Sequence, residues 1–212
     1  MLNLEAYLEH HRPAILHLSN ADPVMAKLIH DVGPVPYDTG GELFKALVRS
    51  VIYQVVSTAA GDTVVRRLTE RTEGRFTPEV LATISQEEFR QAGIGAQKYH
   101  RLAAMTQCFL DNPSHYEQVH HLSDDEALRL LTALPGIGKW TAQMVLMFCL
   151  GREDIFAPDD LGLQNAMIKL YEWPSPPKRK DLERKAAEWA PYRSLASVYL
   201  WNSIKRWEET PI

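Results

Sequence analysis

Residues 134–142 read Leu-Pro-Gly-Ile-Gly-Lys-Trp-Thr-Ala. An amphipathic run, ALRLLTAL (127–134), leads into this stretch, and an apolar run from Trp140 to Leu150 leads out. Pro135, Gly136 and Gly138 interrupt the helical pattern between the two. Glycines at 136 and 138 permit a tight turn and leave no Cβ in the way of an approaching group. The amides at the start of the outgoing helix lack intrahelical partners and carry the positive end of its dipole. Such a turn grips a phosphate through its backbone, with little help from Lys or Arg. On these residues alone, a plain helical hairpin with no ligand is the alternative.

Working outward, the pattern stays helical. In FKALVRSVIYQVV (44–56), Phe44, Leu47, Val48, Val51, Ile52, Val55 and Val56 make the i, i+3, i+4, i+7 stripe of a core-facing helix. A second helix is expected from Thr58 to about Thr72, ended by Gly74. Thr77 with Pro78 opens a further one. Ser85/Glu88 and Ser123/Glu126 are capping boxes, and Gly93 and Gly95 stop the first of these helices. Lys98 to about Leu110, Leu161 to about Tyr171, Asp181–Trp189 and Arg193–Trp207 complete the expected set. WPSPPKRKD (173–181) reads as an exposed loop, since three prolines so close together cannot sit in a helix. No strand pair or Asn-Gly hairpin is evident. The expected class is all-α, a compact bundle with short connections.

At 212 residues the chain is long enough to bury a real core. No apolar run approaches the roughly 20 residues that span a bilayer, and MLNLEAYLEHHRP is not a secretory signal. Cys108 and Cys149, the only cysteines, cannot build a disulfide framework or a four-thiolate cluster. The expected setting is reducing: cytoplasmic (nucleoid) or nuclear. The net charge of −4 argues against a nucleic-acid partner, although basic residues outnumber acidic ones between Lys169 and Arg206. His10, His11, His115, His120 and His121 fit no zinc spacing and are expected at the surface. No P-loop or dinucleotide fingerprint is present.

The whole string LPGIGKWTA resembles the helix-hairpin-helix signature of the HhH-GPD DNA glycosylase superfamily. That superfamily continues with a Gly/Pro-rich loop and an essential Asp. Here FAPDDLGLQ (156–164) follows, with Asp160 lying 22 residues after Gly138. LFKALVRSVIYQVVSTAA (43–60) resembles the early family helix that ends in a Gln-rich turn at the DNA. FRQAGIGAQKYHRLAAM (89–105) resembles the next block, with Phe89 where the family has Leu. PYRSLASVYLW (191–201) is similar to the closing helix of the 3-methyladenine DNA glycosylase II group.

The resemblance implies a monofunctional glycosylase that extrudes an alkylated purine from duplex DNA and hydrolyses its glycosidic bond. Asp160 would stabilise the sugar cation and orient water. Alternatively, either Asp159 or Asp160 is only the N-cap of the next helix. If Asp160 is catalytic, Asp159 caps or supports. Gly136, Gly138, Lys139 and Thr141 would meet DNA at the hairpin, and Gln54 and Val55 at the turn that fills the vacated stack. Val55 fits the core stripe equally well. Trp140, Tyr192, Met144 and Trp201 would form the base pocket, where aromatic faces attract a cationic base. Aromatics at helical spacing are otherwise core.

Strand-cutting members carry a nucleophilic Lys at the position of Trp140. Lys139 is one residue earlier, about 100° away around a helix, so no lyase activity is expected. The whole of 1–212 would form one glycosylase unit. One lobe would comprise about 43–157 and the other about 1–42 plus 158–212, with the hairpin and Asp160 facing each other. No cofactor is expected beyond a monovalent cation at the hairpin with DNA, and no catalytic metal. The expected partner is double-stranded DNA with damaged bases, bound by a monomer without a membrane. The rivals are a non-catalytic helix-hairpin-helix DNA binder, a glycosylase for oxidised or mismatched bases, and a helical protein-interaction domain.

Overall fold

The computed structural model describes residues 4–173 and 175–209. Among them there is no strand, as expected of an all-α chain. The α-helices, in order, are α1 (Leu4–Ala21), α2 (Pro23–Val32), α3 (Leu43–Tyr53), α4 (Thr58–Arg71), α5 (Pro78–Ala82), α6 (Gln86–Ala92), α7 (Ala96–Asp111), α8 (Pro113–Glu117), α9 (Asp124–Thr132), α10 (Lys139–Met144), α11 (Leu161–Leu170), α12 (Arg179–Ala186) and α13 (Arg193–Glu209). No helix among the described residues is long and apolar enough to cross a membrane. Pro174, in the expected proline-rich loop, lies outside the described residues.

The chain divides into two compact units at residues 39/40 and 150/151. The unit 40–150 is organised on α3. Phe44, Leu47, Val48, Val51 and Ile52 are buried, each aliphatic one worth about 1.5–3 kcal/mol of transfer free energy. They pack with α7, whose Leu102 and Met105 are fully buried. Phe44 meets Phe109 edge-on with ring centroids 4.9 Å apart. The stripe stops at Tyr53: Val55 and Val56 are exposed and form no part of this core. The hydrophobic period continued in the sequence past the point where the backbone leaves the helix.

Local signals set the remaining boundaries. Ser85 and Ser123 each close a reciprocal capping box, with Glu88 and Glu126. Thr77 caps α5, with Pro78 in its first turn. The apolar run after the hairpin is not one regular helix: α10 passes at Val145 into a π-helical turn, Val145–Cys149, whose Val145, Leu146, Met147 and Cys149 are buried.

The other unit packs α13 against α11 and α2, and α1 against α2. Asp22 is 1% exposed and caps α2 through Val24 N (2.9 Å) and Met25 N (3.3 Å). Its second oxygen accepts from Tyr171 Oη (2.5 Å), Trp189 Nε1 (2.9 Å) and Lys185 Nζ (3.1 Å). Burial alone would raise the Asp22 carboxyl, but these donors outweigh it and hold the group below the usual carboxylate range. The stretch 151–157, expected with the hairpin lobe, is tied instead to α13. Ser194 N donates to Glu153 O at 2.9 Å, Ile155 N donates to Ser194 Oγ at 3.0 Å, and Arg193 makes two bonds to Asp154.

One surface expectation is corrected. His11 is buried (8% exposed), stacked on Tyr37 and tilted against Tyr7. Four of the basic residues after Lys169 are paired with carboxylates. Arg179 pairs with Asp159 and Glu183, Arg184 with Asp181, Lys185 with Asp22 and Glu188, and Arg193 with Asp154. The side chains of Lys205 and Arg206 lie outside the described residues.

Candidate active site

The hairpin links α9 to α10. Ile137 N donates to Leu134 O at 3.1 Å, with Pro135 and Gly136 in between and Gly136 at φ +82°. This is the pattern of a type II turn, whose third residue needs positive φ. Leu134 and Ile137 are buried and anchor the turn from below. A methyl on Gly136 would also lie 3.0–3.3 Å from the Arg101 side chain. Gly138 differs from the sequence expectation. Its φ is −84°, open to any residue, and a Cβ there would meet nothing within 4 Å. Nothing among the described residues requires glycine at 138; the space it leaves lies at the N-terminus of α10, where no side chain caps the helix.

The turn after α3 is tied to this hairpin. Gln54 Nε2 donates to Gly136 O at 2.9 Å, and Arg101 Nη1 donates to Gln54 Oε1 at 3.1 Å. Lys98 Nζ donates to Ile52 O at 2.6 Å, closing the last turn of α3. Desolvation, then the Arg101 charge, lowers the Lys98 pKa. With both ends of Gln54 engaged, the next residue is held in a left-handed conformation: Val55 has φ +57° and is 102% exposed. A β-branched residue there is strained.

A cavity of about 690 Å³ opens in the same unit, lined among others by Lys45, Arg49, Tyr53, Trp140, Met144 and Phe148. Its size is that of an ordinary small-ligand site. Trp140 is 50% exposed; Thr141, also on the wall, is 7% exposed. The exposed Lys139 is not part of the lining.

In the other unit, Asp160 begins α11. Its Oδ1 accepts from Leu163 N (2.8 Å) and Trp201 Nε1 (3.0 Å). The loop before it is braced. Gln164 Nε2 holds Pro158 O at 2.8 Å, and Arg179 Nη1 binds both oxygens of Asp159 at 2.8 and 2.7 Å. Asp160, not Asp159, is therefore the helix cap, and Asp159 supports the loop through an ion pair.

A hairpin with an uncapped, uncrowded helix start, and an Asp on a braced loop 22 residues later, are the two halves of one family motif. The model of the HhH-GPD superfamily of base excision DNA repair proteins matches residues 48–192. The chain belongs to the HhH-GPD superfamily. It is 30% identical over 199 residues to DNA-3-methyladenine glycosylase 1 of Schizosaccharomyces pombe, covering 91% of this chain and 87% of that one. Among solved structures it is similar to a DNA-3-methyladenine glycosidase of Bacillus halodurans, with TM-score 0.84, 29% identity, and 93% and 91% of the two chains covered. It is also similar to the Schizosaccharomyces pombe 3-methyladenine DNA glycosylase in complex with abasic DNA, with TM-score 0.79, 29% identity, and 91% and 97% covered.

This HhH-GPD chain groups the expected site residues unevenly. Gln54, Trp140, Thr141 and Met144 share the cavity wall in the unit 40–150. Gln54, expected at DNA, spends its polar atoms on Gly136 and Arg101. Thr141, expected at DNA, is 7% exposed. Tyr192 and Trp201, expected in the base pocket, belong to the other unit. Tyr192 packs edge-on against His17, and Trp201 is a donor to Asp160. Arg101, Lys98, Gln164 and Gly162 were not foreseen as parts of the site. Gly162 alone carried a sequence signal, as a glycine inside an expected helix. No group of three or more His, Cys, Asp or Glu able to hold a metal occurs among the described residues.

Proposed function

We propose that the chain is a DNA glycosylase of base excision repair that removes alkylated purines of the 3-methyladenine type and leaves the abasic strand uncut. The observation that carries this reading is the Asp160 carboxylate, pinned at Oδ1 by a backbone amide and an indole in a chain of this family. The names of its relatives support it: the similar proteins of Schizosaccharomyces pombe and Bacillus halodurans act on 3-methyladenine, and one is bound to abasic DNA.

The chemistry runs as follows. The hairpin amides grip a backbone phosphate, and Val55 enters the stack as the damaged nucleotide leaves it. The bond from C1′ to the base breaks, and the base keeps the bonding electron pair. The sugar becomes cationic at C1′, and the negative charge of Asp160 stabilises it. Water adds to C1′ and loses a proton to Asp160 or solvent. The step is redox-neutral and needs no cofactor. A positively charged lesion gives the better leaving group, because departure neutralises it. Trp140 offers an aromatic face to the base.

A lyase needs an amine at the sugar. Trp140 occupies that place in the motif, and Lys139 turns to solvent. The partner is double-stranded DNA containing damaged bases, engaged by a monomer. The test is methylated duplex DNA with full-length protein, following free base by chromatography and strand breaks on a denaturing gel. The reading expects free 3-methyladenine without breaks. Breaks appearing with base release would overturn the hydrolytic assignment; no base release would overturn the enzyme assignment.

A further inference from the structure

We propose that Trp201 is a positioning residue for the Asp160 carboxylate, and that Gly162 is glycine so that the indole can reach it. The proposal rests on the reading of Asp160 as the group beneath the reacting sugar.

Capping α11 requires only the bond from Leu163 N to Asp160 Oδ1 (2.8 Å). The indole of Trp201, from α13, donates to the same oxygen at 3.0 Å across 41 residues of sequence. One donor leaves a carboxylate free to swing about its Cβ–Cγ bond. Two donors from different helices fix its plane. Such fixing is what electrostatic stabilisation of a transition state needs, because groups set in advance do not reorganise during reaction.

Gly162 supplies an independent observation. It lies in the first turn of α11, and its backbone is outside the left-handed region that calls for glycine. Glycine inside a helix is worth about 0.5–1 kcal/mol less than alanine. A methyl there would lie 3.0 Å from Asp160 Oδ1 and 3.2–3.3 Å from Trp201 Cδ1 and Nε1. The neighbours would have to yield by a few tenths of an ångström, and those neighbours are the two partners of this hydrogen bond. The helix forgoes stability at the position where a side chain would part the indole from the carboxylate.

The experiment is single-turnover base release by the full chain from methylated duplex DNA, with affinity for abasic duplex and melting temperature measured alongside. Trp201→Phe keeps the aromatic bulk and removes the donor. It should slow release on the order of tenfold to a hundredfold, with abasic-DNA affinity within about twofold. Gly162→Ala should slow release in the same direction while the melting temperature holds or rises, a split that a merely structural role does not give. The double variant should be no slower than Trp201→Phe alone. Wild-type rates in Trp201→Phe or Gly162→Ala, or rate losses that follow the melting temperature, would overturn the proposal. Asp160→Asn separates the two levels: if it keeps wild-type release, the underlying reading fails, whereas an inactive Asp160→Asn beside an active Trp201→Phe rejects only the positioning role.

Discussion

Replacing Val55 by glycine should make the protein more stable and less active. Val55 has φ +57° and is 102% exposed. The left-handed conformation costs a non-glycine residue roughly 1–2 kcal/mol, and the exposed isopropyl group recovers none of it by burial. Glycine removes that strain but adds about 0.5–1 kcal/mol of backbone freedom to the unfolded chain. The net gain is roughly 0–1.5 kcal/mol, centred on ~0.75, a rise of about 1.5–3 °C in melting temperature at the usual ~2–4 °C per kcal/mol. Activity should move the other way. Burying a valine side chain in the stack contributes about 1.5–3 kcal/mol, and each ~1.4 kcal/mol is tenfold in rate. Base release should therefore fall by roughly one to two orders of magnitude. Differential scanning calorimetry and single-turnover release from methylated duplex measure the two halves. A lower melting temperature would refute the strain argument, and an unchanged release rate would refute the wedge.

Three further substitutions probe the supporting structure. Gln54→Met keeps the length of the side chain and removes both hydrogen bonds, to Gly136 O and from Arg101; urea unfolding should register a loss of about 1–3 kcal/mol, and abasic-DNA affinity should fall with it, whereas a reader of DNA would lose affinity alone. Gly138→Ala meets no protein atom within 4 Å; it should cost no more than about 1 kcal/mol of stability at an N-cap, yet weaken duplex binding by obstructing the phosphate, which a filter-binding titration measures. Asp22→Asn leaves Lys185 and Tyr171 facing a neutral amide and should cost about 2–4 kcal/mol at pH 7. Because the folded Asp22 carboxyl lies below its ordinary value, its contribution is present above pH ~4 and is lost as pH falls through the folded pKa. The gap between wild type and variant in denaturant melts should therefore close in acid; a pH-independent gap would show that the charge contributes nothing.

Local rules carried much of the fold. The capping boxes at Ser85 and Ser123 were legible because the signal and its consequence lie within four residues. So was the hairpin, where Pro135 and Gly136 dictate a turn of one kind. Three features were beyond pattern reading. Periodicity cannot see where a helix ends without a glycine or proline, so Val55 and Val56 were read into a stripe that stops at Tyr53. It cannot tell an α-helix from the π-turn at Val145–Cys149, where the buried positions still look helical. A run of basic residues says nothing of its partners, and Asp154, Asp159 and Asp22 lie far enough away in sequence to hide their pairing with Arg193, Arg179 and Lys185. Asp22-Pro23 is a helix start legible from sequence, an N-cap Asp followed by Pro at the first helical position. At the site, Asp160 stood out by its spacing from the hairpin. The bond from Trp201 to Asp160 was not legible because the two lie 41 residues apart, a distance only the packing of α13 on α11 closes.

The account turns on Asp160 doing chemistry as well as capping a helix. Asp160→Asn keeps an oxygen for Leu163 N and Trp201 Nε1 and removes the charge. Its single-turnover rate of base release from methylated duplex, measured beside its affinity for abasic duplex, is the most direct test. Release should fall by at least about a hundredfold, with affinity unchanged or tighter because a negative charge has left the DNA-binding protein. Release within a few fold of wild type would contradict the account and leave Asp160 as a helix cap.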